Sequence, residues 1–338
     1  MNTSAPHSMA PDTGFAAMGN AYRANARVDV GSPDFVARLD AWRPGNSLVW
    51  RGIRGALPQA VGLTREKCMV EDHRICFVRG GRKRDAPVLL LHGFGASKEN
   101  WLHMQPLIGK GFSMIAPDLP GFGESDFHPG QSYDFLSQAR RVAAFIEASS
   151  SGPVHLVGNS MGGAIAAYVA AARPDLVRSL VLMNAAGIPG REQSTFERTV
   201  MTGNNTLVPR TLAHTRRLAA LVVARGEVMS WAIAPVLHAE MRHRYHVNHR
   251  IFSDILDVQE DPRIVFSRIS APTLVLWGDS DRVLSASSAH EMASIIPGAE
   301  YRILRGVGHL PMVEAPLRTT RAMTRLWRHA DSIRGEQN

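Results

Sequence analysis

The stretch Val154-His-Leu-Val-Gly-Asn-Ser-Met-Gly-Gly163 sets the tightest limit on how this chain folds. Its first four residues suit a strand buried on both faces, and Ala164–Ala172 beyond it forms a small-residue helical run. Between the two, Gly158 and Gly162 flank Ser160. The chain turns there so sharply that a side chain at either glycine would strike neighbouring backbone. Such a bend is strained, holds the Ser160 hydroxyl clear of the sheet, and places it at the positive end of the following helix. G-x-S-x-G alone recurs by chance, so the weight lies in strand, bend and helix coming in this order.

The flanking sequence repeats the same rhythm. Glu66–Val70 and Arg74–Val78 read as an opening hairpin, and Pro87–Leu91, Phe112–Ala116, Val154–Val157, Leu180–Met183 and Thr273–Trp277 as buried central strands. Helical stretches lie between them at about 98–109, 133–149, 161–173, 285–296 and 314–329. Alternation of this kind predicts an α/β class with a mostly parallel sheet covered on both faces. The rhythm breaks across 188–270, where the apolar groups Leu218, Leu221, Val222, Val236, Leu237, Met241, Ile251, Ile255 and Leu256 fall at helical spacing. That segment is expected to be a helical cap over one end of the sheet, splitting the core into 65–187 and 271–330.

Residues 1–31 offer few large apolar groups and read as a disordered arm. Residues 32–64 read as a helical extension. Ser32-Pro33 opens a short amphipathic helix with Phe35, Leu39 and Trp42 on one face, ended by Pro44-Gly45. Leu48, Val49, Trp50, Ile53 and Leu57, interleaved with Arg51 and Arg54, form a second apolar-basic piece. Docking on the main domain is the favoured expectation for residues 33–57, and peripheral membrane contact the alternative.

Composition removes several function classes. With 338 residues, 45% of them apolar, a substantial core can be buried. No apolar run approaches the roughly 20 residues of a membrane span, and the first 30 residues lack the pattern of an export signal, so a cytoplasmic location is expected, with a peripheral place at the membrane as the alternative. The formal charge of +8 comes from scattered arginines without a zinc-finger or RNA-recognition pattern, so nucleic acid is not expected as a partner. Cys68 and Cys76 could face each other across the hairpin, but read as reduced thiols. His243, His246 and His249 invite a metal reading, yet a spacing of three drifts about 60° per step on a helix. Beside Arg242, Arg244 and Arg250 they are expected on a solvated cap face.

A serine hydroxyl attacks only if a base takes its proton, and the base must be oriented by a third group. Downstream, the strand Thr273–Trp277 ends in Gly278-Asp-Ser-Asp281, and His309 follows the short strand Tyr301–Leu304. Asp279 and Asp281 compete for the acid role. Asp281 lies deeper in the loop, while Asp279 adjoins Gly278 and suits a turn cap. The strand Leu89–Leu91 opens into His92-Gly-Phe-Gly95, whose amides can meet an oxyanion; the N–H groups of Phe94 and Met161 are the expected donors. His92 and Asp118 are assigned structural roles.

These motifs, together with Asp118-Leu-Pro-Gly-Phe-Gly-Glu-Ser125, Asn184-Ala-Ala-Gly187 and Gly308-His-Leu-Pro-Met-Val-Glu-Ala-Pro316, resemble the α/β-hydrolase superfamily over roughly residues 65–330. Within it the chain is most similar to bacterial lipases and esterases related to monoacylglycerol lipases. The resemblance implies an eight-stranded sheet with the cap after the sixth strand. It further implies Ser160 as nucleophile, His309 as base, Asp281 as the preferred acid, no cofactor, and a small-molecule ester or lipid as substrate. Phe196, Leu207, Val208, Leu221, Val222, Trp231 and Met241 offer apolar surface for an acyl pocket. A C–C bond hydrolase of ring-cleavage products and a non-catalytic receptor on the same fold are the alternatives. The oligomeric state is left open.

Overall fold

The computed structural model describes residues 14–26, 28–42, 48–81 and 86–335, with the side chains of 48–51, 53, 226–233 and 334–335 outside that description. Eight strands form one sheet: β1 (Leu63–Val70), β2 (His73–Gly81), β3 (Val88–Leu91), β4 (Ser113–Pro117), β5 (Val154–Asn159), β6 (Val177–Met183), β7 (Thr273–Gly278) and β8 (Glu300–Leu304). Their spatial order is β1-β2-β4-β3-β5-β6-β7-β8. All neighbours pair in parallel except β1 with β2 and β2 with β4. The apolar runs are continuous because both faces are covered. Leu89, Leu91, Leu156, Leu180 and Leu182 pack on one side, and Val88, Leu90, Val157, Val181 and Met183 on the other.

The chain leaves β3 toward β4 on one side and leaves β5 toward β6 on the other. At such a reversal the two following loops part and leave a crevice at the carboxyl ends of the strands. The loops Gly93–Ser97 and Asn159-Ser160 border that crevice.

In the hairpin Cys68 pairs with Ile75 and Cys76 with Lys67. That register points the two thiols to opposite faces, since side chains alternate along a strand. Both are free.

Segment 188–270 contains five helices, Thr195–Met201, Leu212–Val222, Gly226–His243, Tyr245–Ile255 and Pro262–Ser267. The expected disordered arm is corrected from residue 15 onward, because Phe15–Asn25 is a helix with Phe15 and Tyr22 buried. Tyr22 meets the Phe252 ring edge-on and pairs through its hydroxyl with His249 Nδ1 at 3.4 Å. Burying two such aromatics contributes several kcal/mol at roughly 1.5–3 kcal/mol each, enough to offset ordering of the helix. Residues 1–13 and the Pro44-Gly45 stop lie outside the described residues. The helix Pro33–Ala41 forms as expected, with Phe35 and Leu39 inward, although Ser32 donates to Asp29 O rather than capping.

The solvated face expected for the three spaced histidines is also corrected for His246 and His249, while His243 is exposed. His243 packs on Trp42, His246 on Phe35, and His249 on Tyr22, so this face receives the amino-terminal helices. Arg244 is buried, donates to Gly121 O, and lies over the Trp42 and Phe122 rings, which offset part of its desolvation. Arg54 is buried as well, 3.3 Å from Glu240 and 3.8 Å from Glu99. Of the segment weighed for membrane contact, Phe35, Leu39 and Arg54 thus face protein, while Val36 and Leu57 point outward. Leu48, Val49, Trp50, Arg51 and Ile53 lie outside the described side chains. No helix among the described residues is long and apolar enough to cross a membrane.

Candidate active site

Ser160 sits between β5 and the helix Met161–Ala172 with φ +55° and ψ −119°, a left-handed conformation that a serine adopts only under strain. The two glycines make the bend possible. A Cβ on Gly158 would lie 2.1 Å from Gly162 O, and one on Gly162 would lie 2.5 Å from His92 O. The Ser160 carbonyl accepts from Gly163, Ala164 and Ala186 N–H, which fixes the turn. Its hydroxyl makes no hydrogen bond among the described residues.

His309 and Asp281 come together as expected. His309 Nδ1 donates to Asp281 Oδ2 at 2.8 Å, and both side chains are buried. A ring that donates from Nδ1 keeps its Nε2 lone pair for another proton. Asp281 is held rigidly: Oδ1 accepts from Val283 and Leu284 N–H at 2.7 and 3.1 Å, and Oδ2 accepts from Asn184 Nδ2 at 2.6 Å. Asp279 instead caps its own loop, accepting from Gly306 N–H at 2.8 Å while exposed. Ser160 and His309 line one cavity without a direct hydrogen bond between them; such bonds commonly tighten only when substrate binds.

Three supporting residues lie within the quoted motifs, which assigned them no role. Asn184, at φ +45° just past β6, grips Asp281. Asn159 donates to His309 O at 3.2 Å. Glu314 accepts from Gly308 and Ala224 N–H at 3.0 and 2.7 Å, which ties the histidine loop to the end of the helix Leu212–Val222. Only Asn184 left a usable signal, an asparagine where a buried strand stops and left-handed backbone is tolerated.

Gly93 brings its loop against the nucleophile, since a Cβ there would lie 3.2 Å from Ser160 Cβ. Phe94 N–H makes no hydrogen bond among the described residues, and Met161 N–H, at the first helical position, lies outside the helix's own bonding. Two donors are therefore free beside Ser160. His92 braces this loop: Nδ1 donates to Gly93 O at 2.8 Å and Nε2 accepts from Leu119 N–H at 3.0 Å. Only the neutral ring does both, and burial accordingly pushes its pKa down to about 4. Asp118 clamps the same loop. Its carboxylate accepts from Lys98 N–H, Lys98 Nζ and Glu124 N–H at 2.7–2.8 Å, and Lys98 holds it well below the usual carboxylate range despite full burial.

Two expected outcomes follow. Lys98→Met strands Asp118 as an uncompensated buried charge and should lower stability by about 3 kcal/mol, read as the urea midpoint. His92, His155 and His249 all have burial-lowered values of about 4. Between pH 6.5 and 4 the unfolded chain therefore takes up protons that the folded chain refuses. Their stabilisation is complete above about pH 6.5 and falls with acidification by roughly 1.4 kcal/mol per pH unit for each ring. His92→Gln should flatten that dependence; an unchanged slope would remove the assignment.

The cavity holds about 350 Å³ and is lined by Ser160, His309, Phe94 and Asn100 and by Leu207, Leu218, Val222, Leu237 and Met241 from the segment expected to be the cap. Of the apolar residues expected to line it, Leu207, Val222 and Met241 do so. Phe196, Val208 and Leu221 do not line it: Phe196 and Val208 are buried, Phe196 against Phe252, and Leu221 packs on the core. Trp231 lies outside the described side chains. Among the described residues one grouping of metal-capable side chains, Asp72, His73 and His128, sits beside the hairpin turn, and none of it lines the cavity.

Comparison with known proteins extends this picture. The model of a family described as the alpha/beta hydrolase fold matches residues 86–316. The chain is 31% identical over 251 residues to Lipase 1 of Psychrobacter immobilis, spanning 72% of this chain and 77% of that one. It is 27% identical over 279 residues to a monoacylglycerol lipase of Xenopus laevis, spanning 79% and 82%. Among solved structures, a membrane phospholipase A described as a bacterial virulence factor matches with a TM-score of 0.79 and 33% identity over 84% of this chain and 91% of that one. A meta-cleavage product hydrolase from Pseudomonas fluorescens, at 22% identity over 78% of this chain and 98% of that one and a TM-score of 0.68, shares the fold.

Proposed function

This chain belongs to the α/β-hydrolase family, and from that premise we propose that it cleaves uncharged lipid esters through Ser160, His309 and Asp281. It is a carboxylic ester hydrolase, in keeping with its lipase relatives. The observation that carries the finer reading is the buried His309–Asp281 bond at 2.8 Å, opening with Ser160 onto one largely apolar cavity.

The ester carbonyl sits over Ser160 with its oxygen toward the N–H groups of Phe94 and Met161. His309 Nε2 takes the hydroxyl proton as Oγ bonds to the carbonyl carbon. The two amides stabilise the oxyanion, an effect worth about 10²–10³ in rate for one donor. His309 then passes the proton to the departing alcohol, leaving an acyl-Ser160 ester. Water, deprotonated by the same imidazole, releases the acid and restores the serine. Asp281 fixes the ring tautomer and stabilises the imidazolium throughout.

Segment 188–270 acts as the cap that shelters the acyl chain. No lysine or arginine among the described residues lines the cavity. Ring-cleavage products carry a carboxylate that such a wall leaves unpaired, which favours the ester over the C–C bond reading. Multiple turnover separates the enzyme from a receptor. Rates across p-nitrophenyl esters from two to eighteen carbons test the proposal: the apolar wall predicts rates rising from acetate to a medium or long chain. An acetate optimum, or no turnover of any chain, contradicts it.

A further inference from the structure

The cavity over Ser160 has a polar stretch in its wall. We propose that Asn100 and His103 form a subsite for the leaving alcohol, suited to an uncharged alcohol that carries further hydroxyl groups. This rests on the ester-hydrolase reading above and adds the chemistry of the departing group.

The short 3-10 helix Lys98–Met104 follows the oxyanion loop and contributes Glu99, Asn100 and His103 to the cavity wall. His103 Nε2 donates to Met312 O at 2.7 Å, so the neutral ring keeps Nδ1 as an acceptor. Asn100, half-buried in a largely apolar wall, makes no side-chain hydrogen bond among the described residues. Its amide offers two donors and an acceptor that no protein group among the described residues takes up, so a ligand hydroxyl can pair with them.

The position of this stretch relative to the reaction follows from proton transfer. His309 must deliver its proton to the oxygen that departs, so the alcohol lies on the imidazole side of Ser160. The His103–Met312 bond ties Asn100 and His103 to the loop that begins at His309, where Leu310 and Val313 also line the wall. The acyl chain is left with Leu207, Leu218, Val222, Leu237 and Met241.

A hydroxyl both donates and accepts, as an amide and a neutral imidazole require. A phosphorylated alcohol needs cations, and among the described residues the wall carries the acid Glu99, held 3.0 Å from Lys98, and no lysine or arginine. Glycerol-type alcohols fit this lining and phosphate monoesters do not.

The test compares kcat/KM of the full chain for a 1-monoacylglycerol, for the ethyl ester of the same acid, and for the corresponding 1-acylglycerol phosphate. Wild type should favour the monoacylglycerol over both. Asn100→Leu should lower monoacylglycerol turnover roughly tenfold while holding the ethyl ester within about twofold, and His103→Phe, which also breaks the bond to Met312 O, should lower both with the larger loss on the monoacylglycerol. Losses equal on both esters, no loss at all, or an acylglycerol phosphate turned over as fast as the monoacylglycerol would overturn the subsite. Absence of turnover with every ester would instead bring down the hydrolase reading itself, an outcome that a misplaced subsite does not produce.

Discussion

Replacing Ser160 by alanine is expected to lower kcat for p-nitrophenyl esters by roughly 10⁴- to 10⁶-fold. The fold should be untouched, for a local reason. The Ser160 hydroxyl makes no hydrogen bond within the described protein, whereas its backbone carbonyl makes three that alanine retains. Alanine meets the same left-handed φ of +55° at no greater steric cost. Activity and an unfolding curve measured on the same preparation check both halves, and retained turnover would remove the mechanism.

Asp281→Asn should cost about 10⁴-fold, while Asp279→Asn leaves the rate within a few-fold. The asymmetry comes from the donors around each carboxylate. Asp281 Oδ1 accepts two backbone N–H groups, so an asparagine there keeps its carbonyl oxygen on them. Its NH2 then meets Asn184 Nδ2 and His309 Nδ1–H, both donors. The imidazole relieves the clash by moving its proton to Nε2, the nitrogen that must accept from serine. Asp279 touches only Gly306 N–H and the Ser280 hydroxyl in an exposed turn. Steady-state kinetics of the two variants decide the matter, and the reverse ranking would transfer the acid role.

What sequence made legible follows from how local each signal is. The sharp turn at Ser160, the central strands and the order of serine, acid and histidine depend on contiguous residues, so pattern alone located them. The structure brings His309 onto Asp281 and leaves Asp279 as a turn cap, the distinction that loop depth suggested. The amino-terminal helix was missed although Phe15, Met18 and Tyr22 recur at helical spacing. With small and polar residues between them, that stripe has no force until Phe252 and His249 supply the partner surface. The histidines at 246 and 249 were misread for the same reason, since the aromatics that cover them lie some 200 residues away. The cavity wall was half legible. Apolar residues with helical spacing in 188–270 could be named, but which of them turn inward depends on how the helices pack on one another.

The central claim is that Ser160 and His309 act as one unit. Groups that work in a single proton transfer lose their effect together, so once one is gone, removing the other costs little more. The measurement is kcat for Ser160→Ala, His309→Ala and the double variant on one p-nitrophenyl ester. The account predicts that the double variant falls no further than about twofold below the more impaired single variant. Losses that multiply would show two residues acting independently and would contradict it.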